Sequence, residues 1–313
     1  MKKIKVSIIL TAYNIQDFIG DAIFSLIDQE FEDYEVIIVD DGSLDKTYDV
    51  IEKYAKEFDF LKPYKIKHQG AGFARNFGYS KAKGEYVLFL DGDDIFHTSM
   101  LYDMYKEIVT QKADICMCNS KEFSKNKSNI VKIHDSNKFY YPIGWAWDKM
   151  FKKSFLDEYQ INFCNLSSSN DLSFTFCAWF MAKKIVKMKD FLVYRRMWQG
   201  SVSSERKEEN AFLALFDLKE KLLRLRKFEE NKEYFYNVAQ KLIYWHFKTG
   251  SKKVKQNIIS LIKKYEANIG ALNLIRPKYK KFNWFYRDAY FYRSYSIIYS
   301  KYTIGKFLGF THE

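Results

Sequence analysis

The sequence predicts an α/β fold, a doubly wound and mostly parallel sheet flanked by helices, with a helical C-terminal extension. Three observations carry this expectation. Strand and helix patterns alternate from residue 5 to residue 118. Strand segments such as Val87-Leu88-Phe89-Leu90 are apolar without alternation, which marks strands covered on both faces. Two of the strands run directly into carboxylates, at Asp40-Asp41 and at Asp91-Gly92-Asp93-Asp94. A parallel sheet places such strand ends on one rim, where open α/β sheets bind ligands.

The elements follow in order. Val6 to Thr11 reads as the first strand. Ile19 to Gln29 reads as a helix, with Ile19, Ile23 and Leu26/Ile27 on one face. Glu35 to Val39 is a second strand, ending in Asp40-Asp41-Gly42-Ser43. Lys46 to Phe58 is a second helix, carrying Val50, Ile51 and Tyr54. Tyr64 to Lys67 is a third strand, and Phe73 to Ala82 is a helix entered through Gly70 and Gly72. Tyr86 to Leu90 is the next strand, Ser99 to Lys112 a helix and Ile115 to Asn119 a strand. The polar, lysine-rich run from Lys121 to Asn137 reads as a loop or an edge hairpin.

Further on, helices are expected over Trp145 to Leu156 and Asp171 to Lys184, and strands over Ile185 to Lys189 and Phe191 to Arg195. Gln199 to Glu205 has the composition of a flexible loop, and Glu208 to Tyr265 is helical in pattern. The expected division is a domain of residues 1–205 and a helical, basic and aromatic region of residues 206–313. No internal repeat is visible.

The 313 residues are 47% hydrophobic, enough for a substantial core, and the formal net charge of +12 points to a polyanionic partner. Nucleic acid, an acidic membrane surface and a phosphorylated substrate would each fit. No nucleic-acid-binding module is recognisable, so nucleic acid is not expected as a partner. Cys116, Cys118, Cys164 and Cys177 lack zinc-type spacing and read as buried, reduced thiols. Met1-Lys2-Lys3 leads straight into a strand, and no stretch approaches the roughly 18 apolar residues of a membrane span. The expectation is a cytoplasmic protein, with attachment to the inner face of a membrane as its extension.

Asp91, Asp93 and Asp94 repel one another unless a cation joins them. Hard oxygen ligands favour Mg2+ or Mn2+, ions that usually link carboxylates to a substrate's phosphates. A solvated acidic turn is the alternative, since Asp-Gly is an ordinary turn pair. Gly70-Ala71-Gly72 imitates the start of a dinucleotide fingerprint. Arg75 stands where the third glycine belongs, and the segment does not follow the first strand, which excludes a Rossmann dehydrogenase.

Four segments carry a resemblance: Val6-Ser7-Ile8-Ile9-Leu10-Thr11-Ala12-Tyr13-Asn14, Val39-Asp40-Asp41-Gly42-Ser43-Leu44-Asp45-Lys46-Thr47, Gly72-Phe73-Ala74-Arg75-Asn76-Phe77-Gly78, and Lys83 to Asp94. In this order and spacing the chain resembles the family 2 glycosyltransferases of GT-A fold, over roughly residues 4–205. The resemblance implies a UDP-sugar donor, a glycan or lipid-linked acceptor in bacterial surface polysaccharide synthesis, and Mn2+ or Mg2+ as cofactor.

It also implies residue roles. Tyr13 would stack on the base, with Thr11 and Ala12 contributing at the same strand end. Asp41 would accept the ring N–H of uracil and Asp40 would shape that pocket. Arg75 would lie near the base and diphosphate. Asp91 and Asp93, with Gly92 between them, form the DxD motif, Asp91 towards the ribose and Asp93 on the metal, with Asp94 in support. The general base of an inverting reaction would be Asp171 in Asn170-Asp171-Leu172. This chain has Asn170 where the family's pattern has Glu. Asp148 and Asp157 are weaker rivals, and a helix cap is the structural alternative for Asp171.

Trp145 and Trp147 resemble the segment that borders the acceptor, and could equally be core. Tyr194-Arg195-Arg196-Met197-Trp198-Gln199-Gly200-Ser201 resembles the segment that closes over the nucleotide. There Arg195 or Arg196 would meet the diphosphate, and Gly200 would act as hinge. His97 and His134 read as surface or structural residues. Residues 276–313 mix lysine and arginine with tyrosine and tryptophan, as a segment lying on an anionic membrane does. Packing on the catalytic domain or on a second subunit of a homo-oligomer is the alternative. Two rival functions remain: a nucleotidyltransferase, whose basic glycine-rich loop after the first strand is missing here, and a non-enzymatic basic scaffold for anionic lipid or polysaccharide.

Overall fold

The computed structural model describes residues 3–124, 129–135, 144–201 and 208–233, with a few isolated residues beyond. The chain forms two compact units, Met1–Arg206 and Lys207–Glu313.

In the first unit the strands are β1 (Val6–Ala12), β2 (Tyr34–Asp40), β3 (Leu61–Lys65), β4 (Tyr86–Asp91), β5 (Ile95–Phe96), β6 (Ile115–Phe123), β7 (Ile130–His134), β8 (Lys149–Lys152) and β9 (Ile185–Arg196). The helices are α1 (Ile19–Ile27), α2 (Thr47–Glu57), α3 (Ala71–Lys81), α4 (Met100–Thr110), α5 (Lys153–Glu158) and α6 (Asn170–Met181). Among the described residues the strands make one sheet in the order β3-β2-β1-β4-β8-β6-β9-β5, with β7 also paired to β6. β3, β2, β1 and β4 run parallel, and β6 pairs β9 in parallel. β8 is antiparallel to both of its neighbours, β4 and β6.

Both faces of the sheet are covered, as the unbroken apolar strands require. On one face Ile8 and Leu10 of β1 and Leu88 and Leu90 of β4 meet Ile23 and Leu26 of α1, Ile51 of α2 and Met104 and Ile108 of α4. On the other, Ile37 and Val39 pack with Ala74 of α3. There Phe89 of β4 and Phe151 of β8 meet Phe174 of α6 edge-on, each at 5.2 Å between ring centroids. A Cβ on Gly78 would stand 2.5 Å from Ile9 Cγ2, so α3 lies flat on β1 only because that position is glycine.

The structure corrects several expected elements, β3 among them, which spans Leu61–Lys65 instead of Tyr64 to Lys67. The helix read over Trp145 to Leu156 begins only at Lys153; residues 149–152 are strand β8. Lys149, Met150 and Phe151 are buried between β4 and β6, and backbone pairing on both sides outweighs a helical apolar pattern. β6 runs on to Phe123 and forms a hairpin with β7, and β9 is one strand where two were expected.

In the second unit α7 (Glu208–Arg224) buries Phe212, Leu215, Leu218 and Leu222. Residues 228–233 are helical again. No helix among the described residues is long and apolar enough to cross a membrane. The basic, aromatic residues 276–313 lie outside the described residues, as does most of the expected helical run beyond 233.

Candidate active site

β1, β2 and β4 end side by side, and their C-terminal residues build the site. Parallel register sets Thr11 beside Asp91 and Ala12 beside Asp40. Gly92 donates its N–H to the Thr11 carbonyl at 2.9 Å. A Cβ there would fall 2.8 Å from Ile15 Cδ1, so only glycine lets the acidic turn press against the end of β1.

The β2 loop is tied to both neighbours. Asp40 Oδ1 accepts the N–H groups of Gly42 and Ser43, and its buried Oδ2 has no hydrogen-bond partner. Asp41 accepts from the backbone N–H groups of Gln69 at 2.9 Å and Gly70 at 2.8 Å. His68 Nδ1 lies 2.9 Å from Asp41 Oδ2. The imidazole stacks on Tyr13, with centroids 4.2 Å apart and planes 20° apart. His68, which sequence reasoning passed over, thus stands between Tyr13 and Asp41.

Arg75 is the centre of the site. It projects from α3 with its side chain 7% exposed, and its Nη2 donates to Asp91 Oδ1 at 2.6 Å. Its Nη1 donates to Asn170 Oδ1 at 2.6 Å, and its guanidinium lies over the Phe163 ring. Burial disfavours the charge. The carboxylates of Asp91, Asp171 and Asp93 outweigh that and hold the guanidinium above its usual range. Asp91, Asp93 and Asp171, the last in the first turn of α6, therefore act together on one buried cation. The close approach of α3 to α6 depends on Gly72, where a Cβ would press on the Cys164 carbonyl and come within 3.2 Å of Asn170 Cβ.

Asp93 Oδ2 accepts the indole N–H of Trp198 at 2.7 Å. Burial, and then the charge of Asp91, push the Asp93 carboxyl above the usual range. Asp94 is pushed well up by burial and by both neighbouring aspartates, although it accepts the backbone N–H of Arg196 at 2.8 Å. Asp91 and Asp93 flank one glycine at the rim, and hard carboxylate oxygens of this kind are what Mn2+ or Mg2+ would take, with Asp94 turned to the Arg196 N–H. The fit is with an ion held partly by a substrate's phosphates. Among the described residues no three His, Cys, Asp or Glu side chains converge as a metal site.

The two arginines at the end of β9 are already engaged. Arg195 pairs with Glu122 at 2.8 Å and lies over Trp145. Arg196 pairs with Asp21 at 2.8 Å, and its Nε donates to the Asp93 carbonyl at 3.0 Å, bracing the acidic turn from behind. Gly200 has φ +100, a conformation suited to glycine. Trp145 is partly buried and stacks on Trp147 at 4.7 Å, while Trp147 is 3% exposed within the core. Of this pair only Trp145 has surface to offer a sugar. Asp148 is buried against Lys149, and Asp157 binds Tyr79 and Lys153.

His68 and Trp198 are the site residues that sequence reasoning did not single out. Neither carries a motif signal of its own, although Trp198 stands inside the quoted segment Tyr194 to Ser201.

The family model described as glycosyl transferase family 2 matches residues 7–170. The chain is 32% identical over 204 residues to the poly(ribitol-phosphate) beta-glucosyltransferase of Bacillus spizizenii, covering 61% of this chain and 32% of that protein. It is 27% identical over 227 residues to the cholesterol galactosyltransferase of Borreliella burgdorferi, covering 64% of this chain and 63% of that one. Among solved structures, S. aureus TarS residues 1–349 in complex with UDP-GlcNAc superposes with TM-score 0.66 at 24% identity, over 87% of this chain and 80% of that one. The mannosyltransferase PcManGT from Pyrobaculum calidifontis, in complex with GDP-Man and Mn2+, gives TM-score 0.56 at 16% identity, over 95% and 88%. These two structures share the GT-A fold with this chain.

Proposed function

The chain belongs to the family 2 glycosyltransferases, and on that premise we propose that it transfers a sugar from a UDP-sugar to a hydroxyl of a glycan or lipid-linked acceptor, with inversion and with a divalent metal. The observation that carries this reading is Arg75. It joins Asp91, on the rim expected to hold the donor, to Asn170, the neighbour of the expected base Asp171. The UDP-GlcNAc bound by TarS and the Mn2+ bound by PcManGT support the donor and the cofactor.

In this reading Tyr13 and Asp41 hold the base, Asp91 the ribose, and Asp93 with Asp91 the metal. A divalent ion held there would stabilise negative charge on the departing diphosphate. Asp171 takes the proton of the acceptor hydroxyl. The freed oxygen attacks the anomeric carbon as the bond from that carbon to the diphosphate oxygen breaks, and UDP leaves with the electron pair. An α-linked donor would give a β-linked product. Trp145 offers a face to the acceptor, and residues 276–313 hold the enzyme at an anionic membrane surface, which flotation of the full chain with anionic vesicles tests.

UDP release from a panel of UDP-sugars, with Mn2+ or with EDTA, tests the central reading. Metal-dependent release from one donor is expected. Absence of both release and UDP binding would overturn the UDP-sugar assignment.

A further inference from the structure

The two groups assigned to the nucleotide base are both engaged by one side chain, that of His68. Its imidazole lies face to face with Tyr13, 4.2 Å between centroids and 20° between planes. Its Nδ1 meets Asp41 Oδ2 at 2.9 Å. A flat ring on the tyrosine and a ring N–H at the carboxylate are also what uracil would bring, through its face and its N3–H. Asp41's carboxylate is 4% exposed, whereas the His68 side chain is 54% exposed. The other groups donating to Asp41 are the backbone N–H groups of Gln69 and Gly70, which cannot swing away. The His68 backbone lies close against the Gly42 turn, where a Cβ would stand 2.8 Å from the His68 nitrogen. Only the imidazole is free to leave, by rotation about its own side-chain torsions.

We infer that His68 is the resident occupant of the base subsite and that a nucleotide binds by taking its place. This rests on the reading of Tyr13 and Asp41 as the base subsite. In the free protein the imidazole gives the buried carboxylate a partner and keeps Tyr13 turned for stacking, so the pocket is preformed. Each base contact then replaces one of the same kind. The nucleoside contributes little net affinity, and the diphosphate contributes most.

The test is calorimetric titration of the full chain and of its His68→Ala variant with uridine, UDP and inorganic pyrophosphate, all in Mg2+. Removing the occupant abolishes its competing stack, so the variant is expected to bind uridine and UDP about two- to tenfold more tightly. Pyrophosphate affinity is expected not to change. In parallel, the imidazole proton resonances of His68, shifted by the tyrosine ring in the free protein, are expected to move to ordinary positions when UDP is added. Unchanged or weaker uridine and UDP binding in the variant would overturn the inference alone and make His68 a wall of the pocket. An equal change for pyrophosphate would also overturn it, by assigning the effect to charge. If uridine and UDP bind neither protein, the base-subsite reading falls and takes the inference with it. Tyr13→Ala separates these cases, because loss of UDP binding there keeps the subsite reading standing whatever His68→Ala does.

Discussion

The indole N–H of Trp198 donates to Asp93 Oδ2 at 2.7 Å, across 105 residues of sequence. Just before it, the last residue of β9 donates the Arg196 backbone N–H to Asp94, so the end of β9 and the chain after it are fastened to the acidic turn. The indole is a counterweight to the burial that resists ionisation of Asp93. Trp198→Phe keeps a ring against Phe18 and removes only the donor. One hydrogen bond to a charged group is worth about 1.5–3 kcal/mol. The variant is expected to need at least about tenfold more Mn2+ for half-maximal UDP release. A manganese titration checks this, and an unchanged midpoint would remove Trp198 from the metal's surroundings.

The raised carboxyls of Asp93 and Asp94 have a consequence for stability. Their folded-state affinity for protons exceeds that of the unfolded chain, so folding takes up protons in the window above the ordinary Asp value of 3.8. Stability from these two groups therefore falls as pH rises through that window, and a bound divalent cation offsets the loss. Mn2+ is expected to raise the melting temperature more at pH 7.5 than at pH 5. Thermal melts at both pH values check this; equal shifts would place the ion elsewhere.

Glu122 behaves in the opposite way. The His134 hydrogen bond, aided by Arg195, outweighs burial and lowers its carboxyl to about 2. The folded value lies below the unfolded one, so its contribution is present above about 4.5 and is lost as pH falls towards 2. Its partners lie on β7 and β9, and Arg195 and His134 both touch Trp145. Glu122→Gln takes the counter-charge from the partly buried Arg195 and is expected to cost about 1–3 kcal/mol at pH 7. The difference should shrink below pH 4. Urea unfolding at pH 7 and pH 3 measures it, and a constant difference would contradict the charge argument.

The parallel half of the sheet was legible because burial on both faces writes itself into β1, β2 and β4 as unbroken apolar runs. The acidic strand ends were legible for the complementary reason: a carboxylate after such a run has no packing role. β8 was not legible. Its residues alternate too briefly to show a period, and its strand state comes from backbone groups supplied by β4 and β6. Trp147 shows the same limit, since a tryptophan reads alike whether it faces core or ligand until burial is known. His68 and Trp198 act through partners far away in sequence, at Tyr13, Asp41 and Asp93, and spacing alone has no term for that.

Asp171 offers the sharpest separation between binding and chemistry. It stands in the first turn of α6 beside Asn170, whose side chain accepts from Arg75 and whose amide donates to the Leu166 carbonyl. Arg75 holds Asp91 through its other nitrogen. Asp171→Asn preserves shape and leaves both of those contacts in place, while removing the group that can take a proton. UDP affinity is therefore expected to stay within about twofold, and transfer to fall by about 10^2 to 10^4, the usual contribution of a general base. UDP titration and a single-turnover transfer assay on the same preparation separate the two. Retained transfer would assign the base to another group and leave Asp171 as a helix-end carboxylate beside Arg75. Loss of UDP binding together with transfer would instead show that its charge serves the donor through that arginine.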